Sequence, residues 1–355
     1  MRDVSIVKIS LMFTKTKPLI FTFLIIVLLV AAQCSPQTEP TIQKEVGIGA
    51  QEHEDEPVRL TAVPLDEVSL GEGGKLKVIA TTSIVADVVK NVGGDNIALT
   101  VLLPVGTDPH GFDPAPADLA AVADAHVVFA NGMGLEEFLD EMIKNAGGET
   151  AVVQVSHGVE PRQLNTGQEH AQEEADHHHE GADPHTWTSP ANVIIFVHNI
   201  EHALSALDPA NAETYAANAK AYEAELEKLD GWVKAQIDTI PLENRELVTD
   251  HTAFGYYADR YGLKQVGAVI PSFSSAAEPS AKDLAELEAA IKEYEVKAIF
   301  VGASVNPSLS ERVANDTGVK LVTLYTGSLG TEGSGAETYL DYIRYNTEAI
   351  VEALK

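Results

Sequence analysis

Three histidines stand at positions where chemistry is expected. His110 lies in Pro104-Val105-Gly106-Thr107-Asp108-Pro109-His110, His185 in Asp183-Pro184-His185-Thr186-Trp187, and His251 in Leu247-Val248-Thr249-Asp250-His251. Two of them share Asp-Pro-His, in which proline fixes its own φ and keeps the preceding residue extended. A turn stiffened in this way lowers the ordering cost of gathering imidazoles from distant segments. Asp108, Asp183 or Asp250 could hold the far ring nitrogen of a neighbouring histidine, the usual arrangement behind metal-bound imidazoles. The sequence leaves open which of them does so. Three neutral imidazoles suit Zn2+ or another borderline metal better than Mg2+ or Ca2+, which take oxygen.

The remaining histidines divide by context. His170, His177, His178 and His179 fall among acids between Asn165 and Asp183, a composition expected of a loose metal-collecting loop. His198 and His202 are four apart on one helical face, but no HExxH accompanies them, so they read as a structural pair. His126 and His157 border strands and read as structural, and His53 belongs to a solvated acidic run. The single cysteine, Cys34, excludes an intramolecular disulfide and a cysteine-based zinc cluster.

The elements that must position these side chains alternate along the chain. Strand patterns occur at 76–82, 97–103, 126–130 and 151–155, with helical patterns at 84–92, 117–123 and 135–145 between them. The order returns with strands at 246–250, 264–270, 297–301 and 319–325 and helices at 254–261, 281–294 and 309–316. Alternation of this kind predicts α/β architecture: two similar lobes, each with a four-stranded parallel sheet. A helix is expected over 191–207, opened by Ser189-Pro190. A longer one is expected from about Pro209 to Ile240, whose Tyr215, Ala219, Tyr222, Leu226, Leu229, Val233 and Ile237 form one apolar stripe. That long rigid helix bridges the lobes, and in such sheets ligands gather beyond the carboxyl ends of the strands, which places a metal site in the cleft between them.

Composition narrows the function. The 355 residues carry 24 Lys+Arg against 53 Asp+Glu, a formal net charge of −29, which argues against nucleic acid as a partner. At the N-terminus, Arg2, Lys8, Lys15 and Lys17 precede an apolar run, Leu19–Ala32, too short to span a membrane with ease. Val30-Ala31-Ala32-Gln33-Cys34 then resembles a bacterial lipobox, with Ala31 and Gln33 departing from the usual residues. The expected division is a signal peptide over 1–33, a flexible tether anchored through lipidated Cys34 over 34–74, a first lobe over 75–207, the bridging helix over 208–241 and a second lobe over 242–355.

Several separated motifs also resemble one family. They are Val101–Pro114 with its Asp-Pro-His, Asp183–Pro190, Thr249–Tyr257 (Thr-Asp-His-x-Ala-Phe-Gly-Tyr-Tyr), Glu278–Leu284 and the Thr338–Leu354 tail. Together they are similar to the TroA-like zinc/manganese solute-binding proteins of ABC transporters, over roughly residues 75–355. The resemblance implies metal held in the cleft by His110, His185 and His251, and delivery to a membrane permease by a monomeric, lipid-anchored receptor outside the cytoplasm. His251 stands where manganese members tend to carry Glu, which favours zinc, as does the His-rich loop. Gly327 and Gly302 stand where such proteins commonly carry carboxylates, so water or a loop histidine is expected in the fourth place. Alternatives are a receptor for manganese or another divalent metal, an adhesin of the same fold, and a secreted zinc hydrolase. Against the hydrolase, only Glu278 lies near as a base, and its Pro-Ser sequel reads as a helix start.

Overall fold

The computed structural model describes residues 65–355 apart from 72, 148–149 and 164–180. The signal segment, Cys34, His53 and the loop histidines His170, His177, His178 and His179 lie outside the described residues. Two four-stranded sheets form, both wholly parallel. The first contains β1 (Leu76–Ala80), β2 (Ile97–Val101), β3 (Val127–Ala130) and β4 (Ala151–Gln154) in the order β2-β1-β3-β4. The second contains β5 (Glu246–His251), β6 (Lys264–Ile270), β7 (Ala298–Gly302) and β8 (Lys320–Leu324) in the order β6-β5-β7-β8. The two orders are the same topology used twice. The central strands are buried on both faces, as in β3 and β7, because helices cover each sheet on either side.

The helices of the first lobe are α1 (Ser83–Gly93), α2 (Pro116–Asp124) and α3 (Leu139–Asn145). Thr82 caps α1 by accepting the Val85 N–H, which satisfies one of its free donors. Helix α3 starts four residues later than the periodicity predicts. Glu136, inside the expected first turn, instead accepts the N–H groups of Asn131 and Gly132 and the Thr81 hydroxyl, which holds the chain in a turn there.

Helix α4 (Pro190–Leu207) opens with Pro at its first position and runs into α5 (Ala212–Ile237). The bridging helix is shorter than the 209–240 expectation. Pro209–Asn211 forms a separate 3-10 turn, because Asp208 takes the Asn211 amide and the Tyr215 hydroxyl on its side chain and leaves the helix without a side-chain cap. At about 1.5 Å per residue, the 26 residues of α5 span about 39 Å. Its seven predicted stripe residues are all buried, in one hydrophobic core that continues from the first sheet, through α4 and α5, into the second lobe.

The second lobe adds α6 (Gly255–Tyr261), α7 (Ala281–Glu293), α8 (Ser308–Thr317) and α9 (Tyr339–Leu354). Ser280 and Asp283 form a reciprocal cap at the start of α7, and Thr338 caps α9. Residues Leu65–Leu70 depart from the tether expected over 34–74. Leu65, Val68 and Leu70 pack on the core, and the Val68 N–H donates to the Leu207 carbonyl at 2.8 Å, because apolar side chains here find a face to cover.

Candidate metal centre

Each of the three histidines is delivered by a rigid local device. His110 sits in a 3-10 turn, Pro109–Gly111, beyond β2, and Asp108 accepts its backbone N–H at 3.1 Å. The second Asp108 oxygen takes the Ser275 hydroxyl from the other lobe at 2.5 Å. His185 follows the long connection after β4. Asp183 accepts its backbone N–H at 3.0 Å and its Nδ1–H at 2.8 Å. His251 ends β5, where Asp250 accepts both its backbone N–H, at 2.7 Å, and its Nδ1–H, at 2.8 Å. The other Asp250 oxygen takes the Gly302 N–H at 2.7 Å. The sequence left the choice of carboxylates open, and Asp183 and Asp250 are the two that grip a ring.

A carboxylate can only accept, so Nδ1 carries a proton in His185 and His251, which leaves Nε2 of each ring as the inward-facing atom able to bind a metal. These two Nε2 atoms are 3.2 Å apart, and His110 Nε2 is 3.2 Å from that of His185. The three ligand atoms all lie within 4.8 Å of one another. At a Zn–N distance of about 2.1 Å, a separation of 3.2 Å subtends about 100° at a shared ion. That value lies between octahedral and tetrahedral angles, so the spacing accepts either geometry. Burial, followed by the neighbouring His185 and His251, pushes the His110 imidazole down to about 2. Burial lowers His185 as well, against the pull of Asp183. Burial works to raise Asp250, but its bonds to His251 and to backbone N–H groups hold it below the usual carboxylate range. The imidazoles of His110 and His185 are thus uncharged at neutral pH, beside two carboxylates, in a site suited to a dication.

Aromatic rings close the surroundings. Trp187 stands edge-on to His185 with ring centroids 5.2 Å apart, and Phe273 approaches the same ring at 6.5 Å. The glycines at the expected carboxylate positions have physical reasons. A Cβ on Gly327 would come within 2.5 Å of Pro109 Cδ, so the proline before His110 fills the room a side chain would need. A Cβ on Gly302 would lie 2.4 Å from Thr326 Oγ1 and 3.1 Å from Asp250 Oδ2.

Other sequence candidates lie elsewhere. His198 is exposed and faces Glu223 at 3.5 Å, and His202 is exposed too. His126 Nδ1 accepts the Lys77 N–H, a structural role. Glu278 is exposed just before α7. Sequence reasoning missed Ser275, Phe273, Tyr256 and Arg162, whose roles depend on contacts across the lobes. Tyr256 lay within a quoted motif, but nothing in the sequence showed that its hydroxyl donates to the Asp183 carbonyl.

Comparison with known proteins agrees with this architecture. The family model described as "Zinc-uptake complex component A periplasmic" matches residues 78–353. The manganese-binding lipoprotein MntA of Halalkalibacterium halodurans is 38% identical over 285 residues, covering 80% of this chain and 89% of that protein. The manganese ABC transporter substrate-binding lipoprotein PsaA of Streptococcus mitis is 33% identical over 302 residues, covering 83% and 94%. Among solved structures, the periplasmic zinc-binding protein TroA of Treponema pallidum superposes with a TM-score of 0.68 at 29% identity, covering 79% of this chain and 99% of that one. The hydrolase alternative falls with these matches. The chain belongs to the zinc-uptake component A family and is a metal substrate-binding protein of an ABC transporter, a receptor and not an enzyme.

Proposed function

We propose that the receptor captures Zn2+ through His110, His185 and His251 and delivers it to a membrane permease, outside the cytoplasm and anchored through lipidated Cys34. The carrying observation is the pair of Nε2 atoms 3.2 Å apart, each ring locked by a carboxylate on its far side. Two acceptors at that distance repel unless a cation lies between them. Three nitrogen donors, with no carboxylate among them, are a borderline-soft set that suits zinc. Gly327 and Gly302 leave the fourth position to water or to a histidine of the 165–183 stretch. Residues 34–64 would tether the body to the membrane, since Leu65, Val68 and Leu70 pack on the core, and the receptor would work as a monomer.

Manganese is the second reading, and the manganese-binding MntA and the manganese-transporter PsaA among the relatives support it better than zinc. Competitive equilibrium dialysis with Zn2+, Mn2+ and Cu2+ separates them. Retention of one equivalent of zinc against excess manganese is expected. Retention of manganese against equimolar zinc would overturn the zinc assignment and leave the receptor function standing.

A further inference from the structure

Arg162 lies just before the stretch 164–180, and Asp183 follows shortly after it. The two are joined directly, since the Asp183 N–H donates to the Arg162 carbonyl at 2.8 Å. The Arg162 guanidinium then makes two ion pairs in different directions. One nitrogen reaches Asp183 Oδ2 at 3.1 Å, on the carboxylate whose other oxygen grips His185. The Nε atom reaches Asp259 Oδ2 at 2.6 Å, on α6 of the second lobe. Tyr256, also on α6, accepts the Arg162 N–H and donates to the Asp183 carbonyl, each at 3.0 Å. Space for the guanidinium exists only because residue 255 is glycine, since a Cβ there would fall 1.7 Å from Arg162 Nη1.

We propose that Arg162 is a positioning residue that couples the seating of His185 to the apposition of the two lobes, and so sets how long the metal is held. The planar fork reaches two carboxylates at fixed angles, which a lysine ammonium cannot do. Asp183 is fully buried, so removing its cation leaves that carboxylate with the ring and backbone N–H of His185. Asp259 is exposed, so its pair with Arg162 contributes little to stability and acts through geometry. The inference rests on the metal-receptor reading above.

The test is the zinc dissociation rate, followed by stopped-flow with a chelator in excess, on the full chain and its variants. Arg162→Ala is expected to speed dissociation about 10-fold, the low end of the range for removing the direct partner of a metal-bound histidine, because Arg162 acts on His185 through Asp183. The association rate should stay close to wild type, while the metal-free protein melts at a lower temperature because a buried carboxylate has lost its cation. Arg162→Lys should recover only part of the loss. Asp259→Asn should speed dissociation less, and adding it to Arg162→Ala should change nothing more, because the clamp is already open. Dissociation from Arg162→Ala within twofold of wild type would overturn the proposal, as would additive effects in the double variant. Absence of zinc binding by the wild type would instead sink the receptor reading itself.

Discussion

A neutral imidazole that donates from Nδ1 offers only a lone pair at Nε2, and in His185 and His251 the direction of the ring is decided by an aspartate one or two residues away. Asp250→Asn is expected to weaken metal binding about 10–100-fold, and His251→Ala to weaken it further by removing a ligand; isothermal titration checks both. The same burial sets an acid limit on the metal-free protein. Unfolded histidine titrates near about 6.5, whereas His110 in the fold stays neutral down to about 2 and His185 is lowered in the same direction. Below about pH 6.5 the unfolded chain therefore takes up protons that the fold refuses, so stability is whole above that pH and drains away as pH falls. Metal-stripped protein is expected to melt at steadily lower temperature below about pH 6.5, and His110→Ala to flatten the trend. A slope unchanged in the variant would contradict this. The three histidines were legible because Asp-Pro-His and a strand-ending Asp-His are local signals. Ser275 on Asp108, Phe273 on His185 and Arg162 on Asp183 were not, because each contact joins residues far apart in sequence through folding alone.

Strands and helices place those residues by simple patterning. The alternation of elements, the shared strand order and the apolar stripe of α5 could be read from the sequence because hydrophobic periodicity reports burial directly. The late start of α3 could not, since a buried Glu136 folding back on its own backbone looks like an ordinary helical glutamate in the sequence. Leu226 lies in the middle of α5 with no exposed surface. Leu226→Ala should cost about 2–5 kcal/mol of global stability, read by urea unfolding, while zinc affinity under native conditions stays near wild type. Gly327→Ala should do the reverse. Its Cβ would press on Pro109 and shift the His110 turn, so zinc affinity should drop with little change in stability. Equal affinity in that variant would contradict the tight seating of Pro109.

Across the whole molecule the lobes are fastened at several points around the cleft. Trp187 Nε1 donates to the Thr326 carbonyl at 2.9 Å, and the Tyr339 hydroxyl donates to the Trp187 carbonyl at 2.8 Å; within the second lobe, the Tyr342 hydroxyl holds the same Thr326 oxygen at 3.0 Å. With a continuous core along α4 and α5, this leaves the histidines little freedom to part, which suits a site assembled from both lobes. The segment between Arg162 and Asp183 is bypassed by the bond that joins its two ends. Deleting residues 166–181 is therefore expected to leave the affinity of the main site nearly intact in isothermal titration. The three Nε2 atoms lie close enough to share one ion. Anomalous diffraction at the zinc edge from zinc-loaded crystals tests this most directly. A single strong peak about 2.1 Å from Nε2 of His110, His185 and His251 is expected; an ion bound elsewhere, or touching fewer than three of these rings, would contradict it.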